Sequence, residues 1–455
     1  MSGLTQILEA ARRALSSQRA GLNVTSHNIA NASTEGYSRQ RITFQPTPPE
    51  HTPLGLLGTG VTIAHVGRIR ERFIDQQIRS ARDSYGESTA QHRVLSQIEA
   101  VMNEPSAQGL QSALNRLFNA FRNLAQHPEE PSARNDLLQQ ALQLTQSFRR
   151  LNGSLVQLRN DLLNDVQNKV ERINQLTDEV AQLNRQIVAI SVTGQDPSDV
   201  KDQLDVRLDE LSKLAPVKTF ENATGAVSVS IGGTMVASSA GSVPLKLQTS
   251  GSSASIVIAS SGRPVPIVGG EVGGILESYN SIIPGYLQTL DDIAQALITR
   301  INSIHSTGYG LGTPPLSGLN FFSGTGAADI DVDASVRSNV YAIAASSDGS
   351  PGNNEIALAL AAVEDERLVA GNSLTLGQGY RSFVSQVGSA ITSVDTTSKA
   401  QELVLQQLEN QRSSVSGVSL DEEMANMIRY QRSFDAAARM VSTVNEMFET
   451  LLRMV

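Results

Sequence analysis

Apolar residues recur alternately four and three apart at both ends of the chain. From the front the row is Leu4, Leu8, Ala11, Leu15, Gln18, Leu22, Thr25 and Ile29. At the back it is Leu420, Met424, Met427, Gln431, Phe434, Ala438, Val441, Asn445, Phe448, Leu452 and Val455. That spacing lays one stripe along a helix, and such a stripe needs a partner helix. Termini are ordinarily polar and frayed, so the pattern predicts that the two ends pair in one coiled coil. Gln18, Thr25, Gln431 and Asn445 interrupt the stripe; polar seam positions cost stability and fix register.

Proline spares both ends, with none before Pro46 or after Pro351, which suits long terminal helices. The first helix should stop near Ala32, where Asn31, Ser33 and Gly36 supply turn chemistry. Residues 40–70 read as extended chain. Helix is predicted over about 70–101 and from Glu104 to about His127. A long helix should follow along Leu151, Leu155, Leu158, Leu162, Val166, Lys169, Ile173, Leu176, Val180, Leu183, Ile187 and Ile190. Gly194 to Pro197 ends it, and Asp199–Leu214 makes one more amphipathic helix. Residues 216–270 then turn to Val, Ile, Ser, Thr and Gly in short alternating runs, which predicts a small β unit of hairpin-sized pieces.

Helix resumes at Ile275 to Ile304, followed by a Gly/Pro-rich stretch and a short β-like run near Ala328 to Ala344. From Asn353 onward the pattern is helical, broken at Gly371–Gly379 and Ser413–Gly417. Ser419 with Glu422 has the capping-box spacing, and Asp421, Glu422 and Glu423 place negative charge at a helix start. The expected fold is mainly α with inserted β: a long helical hairpin or coiled coil formed by both termini and the central helices, plus a small β-rich outer domain. The expected domains are 1–40 with 416–455, a helical core of 41–214 with 274–415, and the insert 215–273.

Composition narrows the function. The 455 residues carry a net charge of −9, and the basic residues are scattered along the chain, which argues against a nucleic-acid surface. Cysteine is absent, which removes disulfides, thiol catalysis and thiolate-bound metals. Tryptophan is absent and aromatics make up only 4%, thin for a small-molecule pocket. No stretch reaches the ~20 apolar residues that span a bilayer, so no stable membrane insertion is expected. Glu9, Arg12 and Arg13 interrupt what a secretory signal would need as its apolar core. The protein should therefore stay in the cytosol or leave by a route that bypasses the general secretory signal.

Site chemistry is sparse. His27, His51, His65, His92, His127 and His305 form no HExxH or paired-ligand motif and read as surface or packing residues. No GxxxxGK[ST] loop and no GxSxG elbow occurs. Asp329, Asp331 and Asp333 begin like a calcium loop, but Ala334 takes the required glycine position and Val340 that of the bidentate glutamate. Alternation with Ile330 and Val332 reads better as a strand with one wet face. No enzyme activity, metal or cofactor is expected.

The run Asn28-Ile29-Ala30-Asn31-Ala32-Ser33-Thr34-Glu35-Gly36-Tyr37 resembles the N-terminal signature of the flagellar rod, hook and hook-associated axial proteins. The continuation Ser38-Arg39-Gln40 is similar to the hook-associated junction branch of that family. Gly58-Thr59-Gly60-Val61 with Phe73, Gln77 and Arg79 resembles a further family block, as do His127 to Arg134, Gly273-Gly274-Ile275, and Phe321-Phe322. Asp202-Gln203-Leu204-Asp205 differs, for the family pattern has an arginine at the third position. The chain is also short for the family, which implies that an outer domain of longer relatives is reduced or missing.

The resemblance implies a structural adaptor, assembled as a homo-oligomeric ring between hook and filament, extracellular, and exported through the flagellar type III channel without a cleaved signal peptide. Its implied partners are itself, the hook protein, hook-associated protein 3, an export chaperone and the export apparatus. The implied assembly interface comprises Leu4, Leu8, Leu15, Leu22, Asn28, Ile29, Asn31, Gly36 and Tyr37 at the front. At the back it comprises Leu420, Met424, Met427, Phe434, Val441, Phe448 and Leu452. Another axial rod- or hook-type protein, or a cytosolic coiled-coil scaffold, is the alternative. The scaffold accounts for the heptads but not for the Asn-rich turn.

Overall fold

The structure is a computed structural model that describes residues 2–52 and 55–454. Its first helix, α1 (Ser2–Ala30), lies antiparallel to the last, α11 (Leu420–Met454). The antiparallel sense follows from two contacts, Asn28 with Glu423 and Gly21 with Tyr430. Strands β1 (Gln40–Pro46) and β4 (Val61–Arg68) form an antiparallel ribbon, with the short hairpin β2 (Glu50–Thr52) and β3 (Gly55–Leu57) at its tip. The ribbon lies along α1, where Ser17 donates to the Val61 carbonyl at 3.5 Å and Arg13 to the Thr59 carbonyl at 3.2 Å. These elements make their extensive contacts with one another.

The body is helical. Helices α2 (Arg72–Met102), α3 (Leu110–Gln126), α4 (Pro131–Val192) and α5 (Ser198–Leu214) follow in order; α2 and α5 keep close to the expected spans, α3 starts at Leu110 rather than Glu104, and α4 starts well before the predicted stripe at Leu151. The predicted stripe of α4 is its buried face from Leu151 to Ile187, and Lys169 within it pairs with Glu271. Pro131 at the first turn of α4 is tolerated because no intrahelical bond is lost there.

The β unit leaves at Ala215. Strands β5 (Val217–Glu221), β6 (Val227–Ile231), β7 (Thr234–Ser238) and β8 (Gly241–Ser242) form one sheet in that order. Strands β9 (Leu245–Ser250) and β10 (Ser253–Ile258) form a hairpin beside it. Two asparagines of α4 serve as strand neighbours. Asn184 exchanges two hydrogen bonds with the Val227 peptide groups at 2.7 Å, and Asn174 exchanges two with Leu245 at 2.8 Å. An amide side chain presents the same donor and acceptor as a peptide, so edge groups are satisfied without another strand.

The chain returns through α6 (Gly270–Glu277), a π-turn at Ser278–Ile282 and α7 (Ile283–His305), one continuous run. At the neck Gly270 (φ +62°) passes so close to Leu214 that a Cβ would lie 2.5 Å from its carbonyl carbon. Only glycine fits that approach.

Residues 306–354 differ from the expected β-like run. Strands β11 (Phe322–Ser323) and β12 (Asp331–Val332) pair there, Tyr309 makes isolated bridges to Ser317 and Ser346, and a short helix α8 (Ala334–Ser338) begins at Asp333, whose side chain caps it. A capping aspartate ends the alternation after two residues. Helix α9 (Glu355–Ala362), the small pair β13 (Arg367–Val369) and β14 (Leu374–Thr375), and α10 (Leu376–Ser416) complete the body. Thr375 and Gln378 close a capping box, so α10 starts inside the Gly371–Gly379 stretch that was expected to be a break. Helix α10 packs along α2, and beyond Val387 it has no fully buried residue until Ser416.

One peptide unit of the 306–354 segment is bound on both its faces by buried groups of the body. Arg134, 1% exposed, donates to the Ile343 carbonyl at 2.6 Å, while the adjoining Ala344 N–H donates to His305 Nε2 at 2.9 Å. His305 Nδ1 lies 2.7 Å from the Leu319 carbonyl, so the neutral ring with its proton on Nδ1 satisfies both contacts. Burial pushes this imidazole down to about 4; the Leu319 carbonyl and Asp333 raise it, and Arg134 lowers it further. Because the folded ring takes a proton less readily than the unfolded one, its contribution is complete above the ordinary imidazole range and is lost as pH falls through about 4. Urea unfolding at descending pH should show this loss. His305→Gln, which can accept from Ala344 but gains no proton, should flatten that part of the profile; identical slopes for both proteins would refute the assignment.

Candidate functional site: the closed termini and their joint

The seam between α1 and α11 is offset by one row from the predicted stripe. On α1 the row Ala11, Ala14, Gln18, Gly21, Thr25 and Asn28 is turned inward; Ala11, Gly21, Thr25 and Asn28 are fully buried. On α11 it is Glu423, Met427, Tyr430, Phe434, Ala437, Val441, Val444 and Phe448. The predicted stripe shares Leu4, Ala11, Gln18 and Thr25 with this geometry, and Met427, Phe434, Val441 and Phe448 on the other helix. Its alternate members lie one row to the side. Leu8, Leu15, Leu22 and Ile29 are half-buried, Gln431 and Asn445 are exposed, and Leu420, Met424 and Leu452 are more than half exposed. Val455 lies outside the described residues.

The physical reason for the offset is size. Small residues let the helix axes come close: the aromatic ring of Tyr430 sits over Gly21, where a Cβ would meet it at 3.0 Å. Phe44 of the ribbon meets the same ring edge-on, with centroids 6.3 Å apart. The displaced rows of the two helices fall on the side of the pair away from the ribbon. That is the flank an antiparallel coiled coil leaves between its helices.

The Asn-rich turn locks the end of the seam. Asn28 makes four hydrogen bonds through one amide. It donates to the Gln40 carbonyl at 2.9 Å and to Glu423 Oε2 at 3.0 Å. It accepts from Gln40 N–H at 2.9 Å and from Tyr37 Oη at 2.8 Å. Glu423, 2% exposed, also receives Arg39 Nε at 2.7 Å, and the Arg39 N–H donates to the Ser416 carbonyl at 2.9 Å. The Tyr37 phenol is held neutral, raised by burial and by Asp199, Asp202 and Glu423. Asn31 closes α1 by donating its side chain to the His27 carbonyl at 3.0 Å. Gly36 (φ +78°) turns back against the body, where a Cβ would strike Val206.

Beyond the turn lies a ladder of charge that the sequence did not advertise. Asp202, Asp205 and Asp209 stand on one face of α5. Asp202 accepts from Ser38 N–H at 2.9 Å and from Arg68 at 2.7 Å. Asp205 is met by Arg68 and Arg79, both at 2.8 Å, and by Arg70 at 3.4 Å. Asp209 is met by Arg412 at 2.6 Å, Arg79 at 3.1 Å and Arg82 at 3.3 Å. Burial alone would raise the Asp205 carboxyl, but Arg70, Arg79 and Arg68 outweigh it and hold the group below its ordinary value. The only signal in the sequence was the spacing of the three aspartates. It reads equally well as a solvated face, because the arginines come from distant elements.

Elsewhere the Asp triplet is engaged by protein donors: Asp329 by Thr325 and Gly326, Asp331 by Arg149 and Arg337, Asp333 by Ser335. Among the described residues no group of three or more His, Asp or Glu is placed to hold a metal ion. No helix among them is long and apolar enough to cross a membrane.

Residues 95–322 match the family model for the helical domain of the flagellar hook-associated protein FlgK. The chain belongs to the flagellar hook-associated protein FlgK family. Residues 8–37 further match the flagella basal body rod protein family, and residues 409–454 the C-terminal family of the flagellar basal body rod FlgEFG proteins. These two matches fall on α1 and α11. The chain is 29% identical to flagellar hook-associated protein 1 of Bacillus subtilis, over 98% of this chain and 97% of the relative. It is 25% identical to that of Salmonella typhimurium, over 99% and 100%. The Bacillus alignment runs over 502 positions against 455 residues here, so the relative carries segments without counterpart in this chain. The fold is similar to that of the flagellar hook junction protein FlgK from Burkholderia pseudomallei, with a TM-score of 0.65, 75% of this chain and 100% of that one covered, and 16% identity. Like its family, the chain is a structural component of the flagellum.

Replacing Asn28 by Ala should orphan the Gln40 peptide group and remove one donor from Glu423. Each unsatisfied buried polar group costs about 1–3 kcal/mol, so amide exchange in α1 and α11 should accelerate while α4 and α7 keep their protection. Equal acceleration in all four helices would contradict the local role assigned to Asn28.

Proposed function

We propose that this chain is the adaptor joining hook to filament, assembled as a ring of copies through its paired terminal helices. The observation that carries this reading is the uncovered flank of the terminal coil. Leu8, Leu15, Leu22 and Ile29 line one helix there, and Leu420, Met424 and Leu452 stand at the two ends of the row on the other, with Gln431 and Asn445 between them. An exposed apolar strip of this extent marks an interaction surface. A second copy is the occupant that best suits it, because the strip is built from both ends of the chain and a ring repeats the same contact around an axis. The likeness of residues 8–37 and 409–454 to axial rod families supports the same role.

On this reading the hook protein contacts the ring on one side and hook-associated protein 3 on the other. Export runs through the flagellar type III apparatus without a cleaved signal, and an export chaperone covers the C-terminal flank until assembly. Asn28, Asn31, Gly36 and Tyr37 act within the subunit, fixing the coil that presents the strip. Leu4, Met427, Phe434, Val441 and Phe448 act in its seam. No catalytic step is part of the function.

Two charge substitutions separate the strip from the seam. Leu452, 77% exposed, should tolerate glutamate in the monomer with unchanged melting, yet Leu452→Glu cells should export the protein and fail to retain filaments. Phe434→Glu should lower monomer stability as well, since burying such a side chain is worth up to about 1.5–3 kcal/mol. Normal swimming of the Leu452→Glu strain would overturn the strip as the assembly surface.

A further inference from the structure

Among the described residues, the terminal coil and the helical body share no continuous apolar core. The continuous buried core runs from Ala90 through Val387, and neither it nor the apolar residues packed against it include any residue of α1, α11 or the ribbon. The hydrogen bonds and ion pairs that cross between the two parts join Ser38 to Asp202, Gln40 to Asp199, Arg68 to Asp202 and Asp205, and Arg39 to the Ser416 carbonyl, beside the close approach of Gly36 to Val206. We infer that the α5 ladder is a partner-exchanging joint, which lets the coil change its angle to a rigid body without unpacking a core.

Three features of the ladder support this. First, the acceptors are shared. Asp205 and Asp209 each have three guanidinium groups within 3.4 Å, and Arg70 reaches Asp75 at 2.8 Å, Asp205 at 3.4 Å and Asp202 at 3.7 Å. A shift of an ångström or two exchanges one pair for another at nearly constant electrostatic energy. Interdigitated apolar side chains offer only discrete arrangements. Second, the arms come from both sides. Arg68 ends the ribbon, Arg79 and Arg82 belong to α2, and Arg412 stands one turn before the end of α10. Third, there is room. A cleft of about 490 Å³ lies between the turn at Asn31 and Tyr37 and the side chains of Glu179 and Gln182, and a groove of about 770 Å³ lies between Gly36 and Arg412, on the two sides of the contact of Gly36 with Val206. The coil can tilt toward either.

The absence of native cysteine allows spin-label pairs at exposed positions. Asn160 with Ala425 reads coil against body, Asn160 with Ser385 reads the body alone, and Asn23 with Ala425 reads the coil alone. In the full chain the coil–body distance distribution should be about twofold broader than either control, as expected where an interface holds several arrangements. Asp205→Asn should shift or widen it further and leave both controls unchanged. Arg412→Gln, which leaves Arg79 and Arg82 on Asp209, should act in the same sense and serves if the first variant fails to fold. A coil–body distribution as narrow as the body control, a broad coil control, or insensitivity to both variants would overturn the joint. The measurement uses the free chain, so its failure leaves the assembly reading untouched.

Discussion

The Glu423 carboxylate is where the two ends of the chain become one structure. A carboxylate with almost no exposure persists only where donors replace its water. Here the donors are Asn28 from the first helix and Arg39 from the turn that follows it. Asn28 in turn is saturated by Tyr37 and Gln40, so the turn has one geometry in which all its groups are satisfied. Arg39 hands its own peptide N–H to the last carbonyl of α10, which fixes where α11 begins. Register in the coil then follows: with Asn28 at Glu423, Gly21 must meet Tyr430, where a larger residue would crowd the ring.

The body answers to a different rule. Its helices bury Leu, Ile, Val and Phe in one continuous core, and α4 serves as the mast on which α3, α5 and the β unit are hung. Where α4 meets strands, Asn174 and Asn184 stand beside the apolar row, because strand edges demand hydrogen-bond partners and leucine has none to give. The coil is thus defined by its hydrogen-bonded turn and close seam, and the body by its continuous apolar core. The ladder on α5 joins them by direction and charge rather than by shape.

Most of the element order was legible because the helices are long and strongly periodic. Periodicity could not choose between neighbouring rows. Met427, Phe434, Val441 and Phe448 belong equally to a stripe through Met424 and Gln431 and to one through Tyr430 and Ala437. The choice turned on Gly21 and Ala14 across the interface, a pairing invisible until the antiparallel register is known. The ladder was hidden for a related reason. Basic residues that are scattered in sequence converge in space, and Arg68, Arg79 and Arg412 reach α5 from three separate segments. Likewise Asp331-Val332-Asp333 alternates as a strand would, yet capping by Asp333 starts a helix. What the residues of the turn revealed was family, through Asn28, Asn31, Gly36 and Tyr37; why those residues are required appears only in their hydrogen bonds.

The uncovered flank follows from these same constraints. A seam of small residues brings the helices close but leaves the larger side chains, Leu8, Leu15, Leu22 and Ile29, on its shoulder, since no room remains for them between the axes. The ribbon covers one side of the pair, and no further element among the described residues covers the other. An apolar shoulder in water invites indiscriminate association, and Gln431 and Asn445 break its α11 row at positions a neighbour would have to match. Polar residues in an otherwise apolar contact penalise wrong registers more than they weaken the right one. On the proposed reading, the interruptions that first looked like defects of a coiled coil within the subunit are the marks by which one copy recognises the next.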